Sequence, residues 1–148
     1  MESKAAASIV LALTLLFLTG CGKPYVGQTT NYNHPAWHRV YSIPCSGKID
    51  GTGPLIVNFK LERTEQPNGY RVTGEFDPTH GEAKSWDHIL VEKSRFSMLI
   101  SEHGIIVDNI SFMVHGTNLG RPLPFRFEFQ TEFEIDAVAF DYEFWMRG

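Results

Sequence analysis

Cysteine is nearly absent. Cys21 and Cys45 are the only two in 148 residues, which excludes a disulfide framework and a cysteine-built zinc site. Basic charge is also short: 13 Lys and Arg stand against 17 Asp and Glu, for a formal net charge of −4. A chain this mildly acidic lacks the positive surface that nucleic acid requires. No phosphate-cradling loop, dinucleotide fingerprint or Gly-x-Ser-x-Gly elbow occurs. Long apolar runs are missing too, apart from residues 5–18. Those 14 residues fall short of the roughly 20 that a membrane-spanning helix needs.

That single run has the layout of a secretory signal. A short charged start with Lys4 leads into an apolar segment interrupted only by Ser8 and Thr14, and the segment ends on Leu18-Thr19-Gly20-Cys21. Leucine, two small residues and a cysteine resemble the lipobox of bacterial lipoproteins. The resemblance covers residues 1–21 and implies that Cys21 becomes an acylated N-terminus carrying three fatty chains of the palmitate type. Each buried CH₂ contributes about 0.8 kcal/mol and two chains already hold stably, so attachment to the membrane would last. The residue after the cysteine is Gly22, not Asp. In enteric relatives of this pattern, that favours the outer membrane of the cell envelope over the inner one. Acylation of Cys21 would leave Cys45 without an intramolecular partner; an unmodified Cys21 would leave a disulfide between them open. Cys45 itself reads as a small buried thiol.

The chain therefore divides into a signal peptide, 1–20, expected to be helical, a flexible tether, 21–36, and one domain, 37–148. Residues 22–36 are rich in Gly, Pro, Asn and Thr and carry no apolar period. A flexible linker of that length spans about 20 Å. Tyr25 and Tyr32 within it either rest at the lipid interface or are incidental.

From Trp37 onward the dominant period is two, the mark of strands with one wet face. Trp37, Tyr41 and Ile43 would share a face in a weak first strand. Leu55, Val57, Phe59 and Leu61 alternate with polar residues, Pro67-Asn68-Gly69 supplies a turn, and Tyr70, Val72 and Phe76 return as a hairpin. Residues 85–93 fit a helical stripe or a buried strand, and the β-rich context favours strand. Phe96, Met98 and Ile100 alternate next, Glu102-His103-Gly104 reads as a turn, and residues 105–115 read as a strand whose apolar face holds Ile106, Ile110, Phe112 and Val114. Asp108 interrupts that face, as a bulge or strand end would.

In the last quarter Phe125, Phe127, Phe129, Phe133 and Ile135, with Thr131, occupy one parity, and Val138, Phe140, Tyr142, Phe144 and Met146 occupy the other. The chain must bulge or reverse between them. Aligned with itself at an offset of 68, the sequence matches Pro54-Leu55 with Pro122-Leu123, Phe59 with Phe127, and Glu75-Phe76 with Glu143-Phe144. By that comparison residues 132–137 form the turn of a final hairpin. About eight strands with polar turns imply an all-β domain, an antiparallel β-sandwich or a small closed barrel.

Chemistry is sparse. The six histidines are scattered; only His34 and His38 have helix-type ligand spacing, too few for a metal site. Asp77 to Glu82 gathers ionisable groups in one loop that reads as an ordinary turn. No catalytic, cofactor-binding or metal residues are assigned, and no cofactor is expected. The final hairpin would leave an acidic face in which Arg126 opposes Asp141 or Glu143 while Glu128, Glu132, Glu134 and Asp136 remain in surplus. These residues form a candidate interaction surface for a basic partner or divalent cations. The expectation is a non-enzymatic envelope lipoprotein, membrane-bound through Cys21, whose domain binds a protein partner. A carrier of a small or lipidic ligand in a barrel interior and an envelope enzyme are the alternatives.

Overall fold

The computed structural model describes residues 23–32, 36–50, 55–78, 89–115 and 121–146. The signal helix, Cys21 and His34 lie outside them, as do residues 79–88 with most of the Asp77 to Glu82 loop. The period-two pattern is realised as β1 (His38–Arg39), β2 (Cys45–Ile49), β3 (Ile56–Arg63), β4 (Gly69–Asp77), β5 (Ile89–Glu102), β6 (Ile105–Phe112), β7 (Leu123–Gln130) and β8 (Ala137–Met146). Among the described residues there is no helix.

The strands form two antiparallel sheets of four. Sheet I has the order β2-β3-β4-β7 and sheet II the order β1-β8-β5-β6. The architecture is thus a β-sandwich, the open form of the two expected. Phe59, Val72, Phe76 and Phe125 of sheet I face Phe96, Met98, Phe112 and Phe140 of sheet II across one core. Phe76 is fully buried at its centre, with ring centroids 4.9 Å from Phe96, 5.2 Å from Phe125 and 6.2 Å from Phe140. Burying each such ring contributes roughly 1.5–3 kcal/mol. The β5–β6 connection is a two-residue hairpin in which His103 and Gly104 both take positive φ, 50° and 79°. That is the turn whose twist matches the strands it joins.

Several expected details change. The β3–β4 hairpin forms as read, with Asn68 at φ 55° in its turn, but β7 and β8 do not pair. The first joins β4 in sheet I and the second lies between β1 and β5 in sheet II. Thr131 N–H still donates to Asn68 O of sheet I, whereas Asp136 N–H donates to Ser101 O of sheet II, so residues 131–136 cross between the sheets. The parity flip is real, and its cause is a change of sheet, which points the odd residues of one strand and the even residues of the other into the same core. The topology of β3–β4 is consequently not repeated by β7–β8. Phe133, placed inward by its parity, is 44 % exposed in the crossover.

The irregularity expected at Asp108 is present. Ile100 pairs with Asp108 while Ser101 pairs with Ile106, leaving Val107 extra. This bulge turns Ile106 to the outer face of sheet II, against Leu99 and Ala139. Trp37 packs on that same outer cluster, whereas Ile43 packs on the core, so the two do not share a face. Tyr41, 87 % exposed, belongs to neither.

Residues 23–32 are not a free tether. Gly27 N–H donates to Ile106 O at 2.8 Å, Ile106 N–H to Gln28 O at 2.9 Å and Thr30 N–H to Gly104 O at 2.8 Å, which covers the open edge of β6. Lys23 Nζ reaches Asp108 Oδ1 at 2.6 Å, and Asn109 Nδ2 donates to Pro24 O at 3.1 Å. Residues 23–32 thus form a strap along this edge, and Trp37, just before β1, packs on the outer face of sheet II.

Candidate functional site

The seven residues of the expected acidic surface are dispersed. Arg126 and Glu128 lie on the outer face of sheet I, Glu132 and Glu134 in the crossover, and Asp141 and Glu143 on the outer face of sheet II. Because β7 and β8 part company, Arg126 faces Thr73, not Asp141 or Glu143. Glu128 is also not surplus charge, since its Oε1 receives Arg71 Nε and Nη2 at 2.9 and 2.8 Å. That forked contact joins β4 to β7.

Asp136 is the clearest departure. Its side chain turns inward and collects donors: Tyr32 Oη at 2.7 Å, Ser101 Oγ, and the His103 backbone N–H at 2.6 Å. Tyr32 in turn accepts the Gly104 N–H at 2.8 Å, and the Arg39 guanidinium lies 4.1 Å from the Tyr32 ring centroid. Burial alone raises the Asp136 carboxyl, but the Ser101, Tyr32 and His103 hydrogen bonds, with the positive charge of Arg39, outweigh it and hold the group below the usual carboxylate range. The carboxylate therefore ties together the strap, the β5–β6 turn and the crossover. Reading the sequence for alternation could not find this role, because Asp136 falls on the wet parity of a hairpin that does not exist.

The crossover does build a site with its neighbours. At this end of the sandwich, residues 40–43, Asn68 of the β3–β4 turn and residues 131–135 surround an open depression of about 390 Å³. Its floor holds Tyr70, stacked on Phe129 with centroids 5.4 Å apart, and Arg63, whose Nη1 donates to Tyr70 Oη at 3.1 Å. Its rim carries Tyr41 and Phe133, both exposed, with Glu132 and Glu134 beside them. Phe133 is presented by a local turn in which its N–H donates to Thr131 Oγ1 at 3.2 Å, and the Glu134 N–H is held by Glu102 Oε1 at 3.0 Å. The arrangement offers aromatic surface flanked by carboxylates, a combination suited to holding a partner. The signal in the sequence was Tyr41 and Phe133 themselves, which the alternation assigned to buried faces.

Cys45 and His38 both pack against residues of the sandwich core. Cys45 is a free thiol on the inner side of β2, and burial raises its pKa, which disfavours the thiolate. The His38 ring stands edge-on to Phe59, with centroids 5.2 Å apart. Among the described residues, no three His, Cys, Asp or Glu side chains gather as metal ligands. Comparison with family models, curated proteins and solved structures finds no match to this chain.

Proposed function

We propose that this chain is an envelope lipoprotein, anchored through acylated Cys21, whose β-sandwich is a non-enzymatic accessory domain that holds a protein partner at its crossover end. The observation that carries the reading is the pair Tyr41 and Phe133, 87 % and 44 % exposed, on the rim of one depression. Exposed aromatic side chains at one spot are unusual on a wet surface and are the residue type that anchors interfaces. The adjacent carboxylates of Glu132 and Glu134 favour a partner that brings Lys or Arg to the rim.

The packing of the core weighs against the carrier reading. Phe76, Phe96, Phe112, Phe125, Phe127 and Phe140 place their rings at contact distances between the sheets, for example 4.5 Å between Phe112 and Phe127, where a ligand would need space.

The test is photo-crosslinking in the producing cell from an amino acid installed at position 41, 133 or, as a control on sheet I, 60. A discrete adduct from 41 and 133, absent from 60 and lost when Glu132 and Glu134 are replaced by Gln, is the expected result. Equal labelling from all three positions would refute a partner site at this end. The anchor is tested separately by the intact mass of detergent-extracted protein, expected to equal residues 21–148 plus a diacylglycerol and one acyl chain.

A further inference from the structure

We infer that the outer face of sheet II rests on the surface of the membrane that holds the anchor, with the crossover depression lying off that face. The inference depends on the lipid-anchor reading of Cys21. Its starting point is the attachment of Lys23 to β6. Lys23 is two residues from Cys21, and a chain advances at most about 3.6 Å per residue, so the acylated cysteine lies within roughly 7 Å of the Lys23 backbone. Lys23 itself is bolted to β6 by its ion pair with Asp108 and by the strap hydrogen bonds that follow. A domain held so short has few orientations available, unlike one on a flexible span of about 20 Å.

The surface next to that attachment point has the chemistry of a headgroup contact. Lys23 borders an open groove of about 520 Å³ on the outer face of sheet II, walled by Arg95, Ser111, Asp141 and Glu143. Trp145 follows Glu143 as the next outward residue of β8 and is 54 % exposed, and Tyr25 and Val26 in the strap are 42 % and 41 % exposed. Trp and Tyr settle at the boundary between lipid and water because one end of each ring system is apolar and the other polar. Lys23 and Arg95 stand beside Asp108, Asp141 and Glu143, so the face carries both signs. It is matched to zwitterionic headgroups, which present both signs in return, and not to a densely anionic surface.

The strand register places the attachment. Lys23 and Pro24 meet β6 at Asp108 and Asn109, which are level with Val138 and Ala139 of β8. Tyr41 and Phe133 lie in the connections beyond the strand ends, off the outer face of sheet II, so the depression stays free for a partner.

The experiment uses the acylated full-length protein with Cys45→Ser, reconstituted in phosphatidylcholine vesicles that contain a headgroup spin-labelled lipid. A fluorophore is placed through Ser111→Cys, Tyr41→Cys or Lys60→Cys, all exposed positions. Quenching several-fold stronger at 111 than at 41 and 60 is expected. Inserting a six-residue Gly-Ser linker between Gly22 and Lys23 should erase the difference while the protein still floats with the vesicles. An anchored protein with equal quenching at the three positions, or with the strongest at 41, overturns the inference. A protein that does not float and carries no acyl mass overturns the lipid anchor instead, so the two failures are distinguishable.

Discussion

At Asp136 a single carboxylate joins three segments that the chain order keeps far apart, and its hydrogen bonds have a consequence in pH. The folded-state pKa is depressed below the ordinary value of about 3.9. As pH falls the unfolded chain binds the proton first, so the stability contributed by Asp136, complete at neutral pH, declines from about pH 5 downward through the lowered folded value. Asp136→Asn lacks this contribution. The difference in unfolding free energy between wild type and variant, measured by urea titration, should be largest near pH 7 and shrink toward pH 3; a constant difference would remove the carboxylate from its assigned role. Tyr32→Phe deletes one donor to the same group and should cost about 1 kcal/mol. Gly74 is constrained differently. A Cβ there would lie 2.1 Å from Asn58 O and 2.8 Å from Phe125 Cζ, and the first is backbone that cannot swing aside. Gly74→Ala is expected to destabilise by about 1–3 kcal/mol through overpacking, although Ala is otherwise the better strand residue. A thermal melt unchanged from wild type would show that β3 and β4 have more slack than these distances allow.

Among the elements, β8 has the most at stake. It is central in sheet II, paired with β1 on one side and β5 on the other, and sends Val138, Phe140, Tyr142 and Phe144 toward the core. Removing the last eight residues strips the pairing from Arg95, Phe96 and Ser97 and takes two rings out of the core. The shortened chain should show no cooperative melting transition, and a stable one would contradict the pairing. Strand existence was legible in the sequence because alternation is local: each of β3 to β8 announces which of its residues are dry. Partner choice was not. The phase flip between Phe129 and Val138 is equally compatible with a hairpin and with a crossover, since both keep apolar residues inward. The decision lies in long-range packing, where Phe125 and Phe140 meet across the core with centroids 5.7 Å apart instead of side by side in one sheet. Ile106 was misplaced for a related reason. The extra Val107 reverses parity in mid-strand; Asp108 marks the irregularity in the sequence but not which residues it turns outward.

For the molecule as a whole, the same limit hid the attachment of residues 23–32 to the sandwich. The strap carries no apolar period because its attachment is through backbone groups, Tyr32 and the ion pair of Lys23, so a sequence rich in Gly, Pro and Asn resembled a linker. Residues 23–32 accordingly pack as part of the sandwich, ahead of Trp37. Two soluble chains test this packing, one spanning 23–148 and one 37–148. The shorter lacks the covering of β6, removes the Tyr32 donor from Asp136 and strips the strap from beside Leu99, Ile106 and Ala139. Three backbone hydrogen bonds and one charge-assisted bond contribute on the order of 2–4 kcal/mol together. At about 4 °C per kcal/mol for a domain of this size, the melting temperature of 37–148 should fall by roughly 10 °C. It should also bind a hydrophobic dye and associate through the bared β6 edge, because an uncovered edge strand templates pairing with a second copy. The longer chain should stay monomeric with no lipid attached. Equal melting temperatures would mean that the strap lies on the sheet without contributing to it, and a strap so weakly held could not fix the domain against a bilayer.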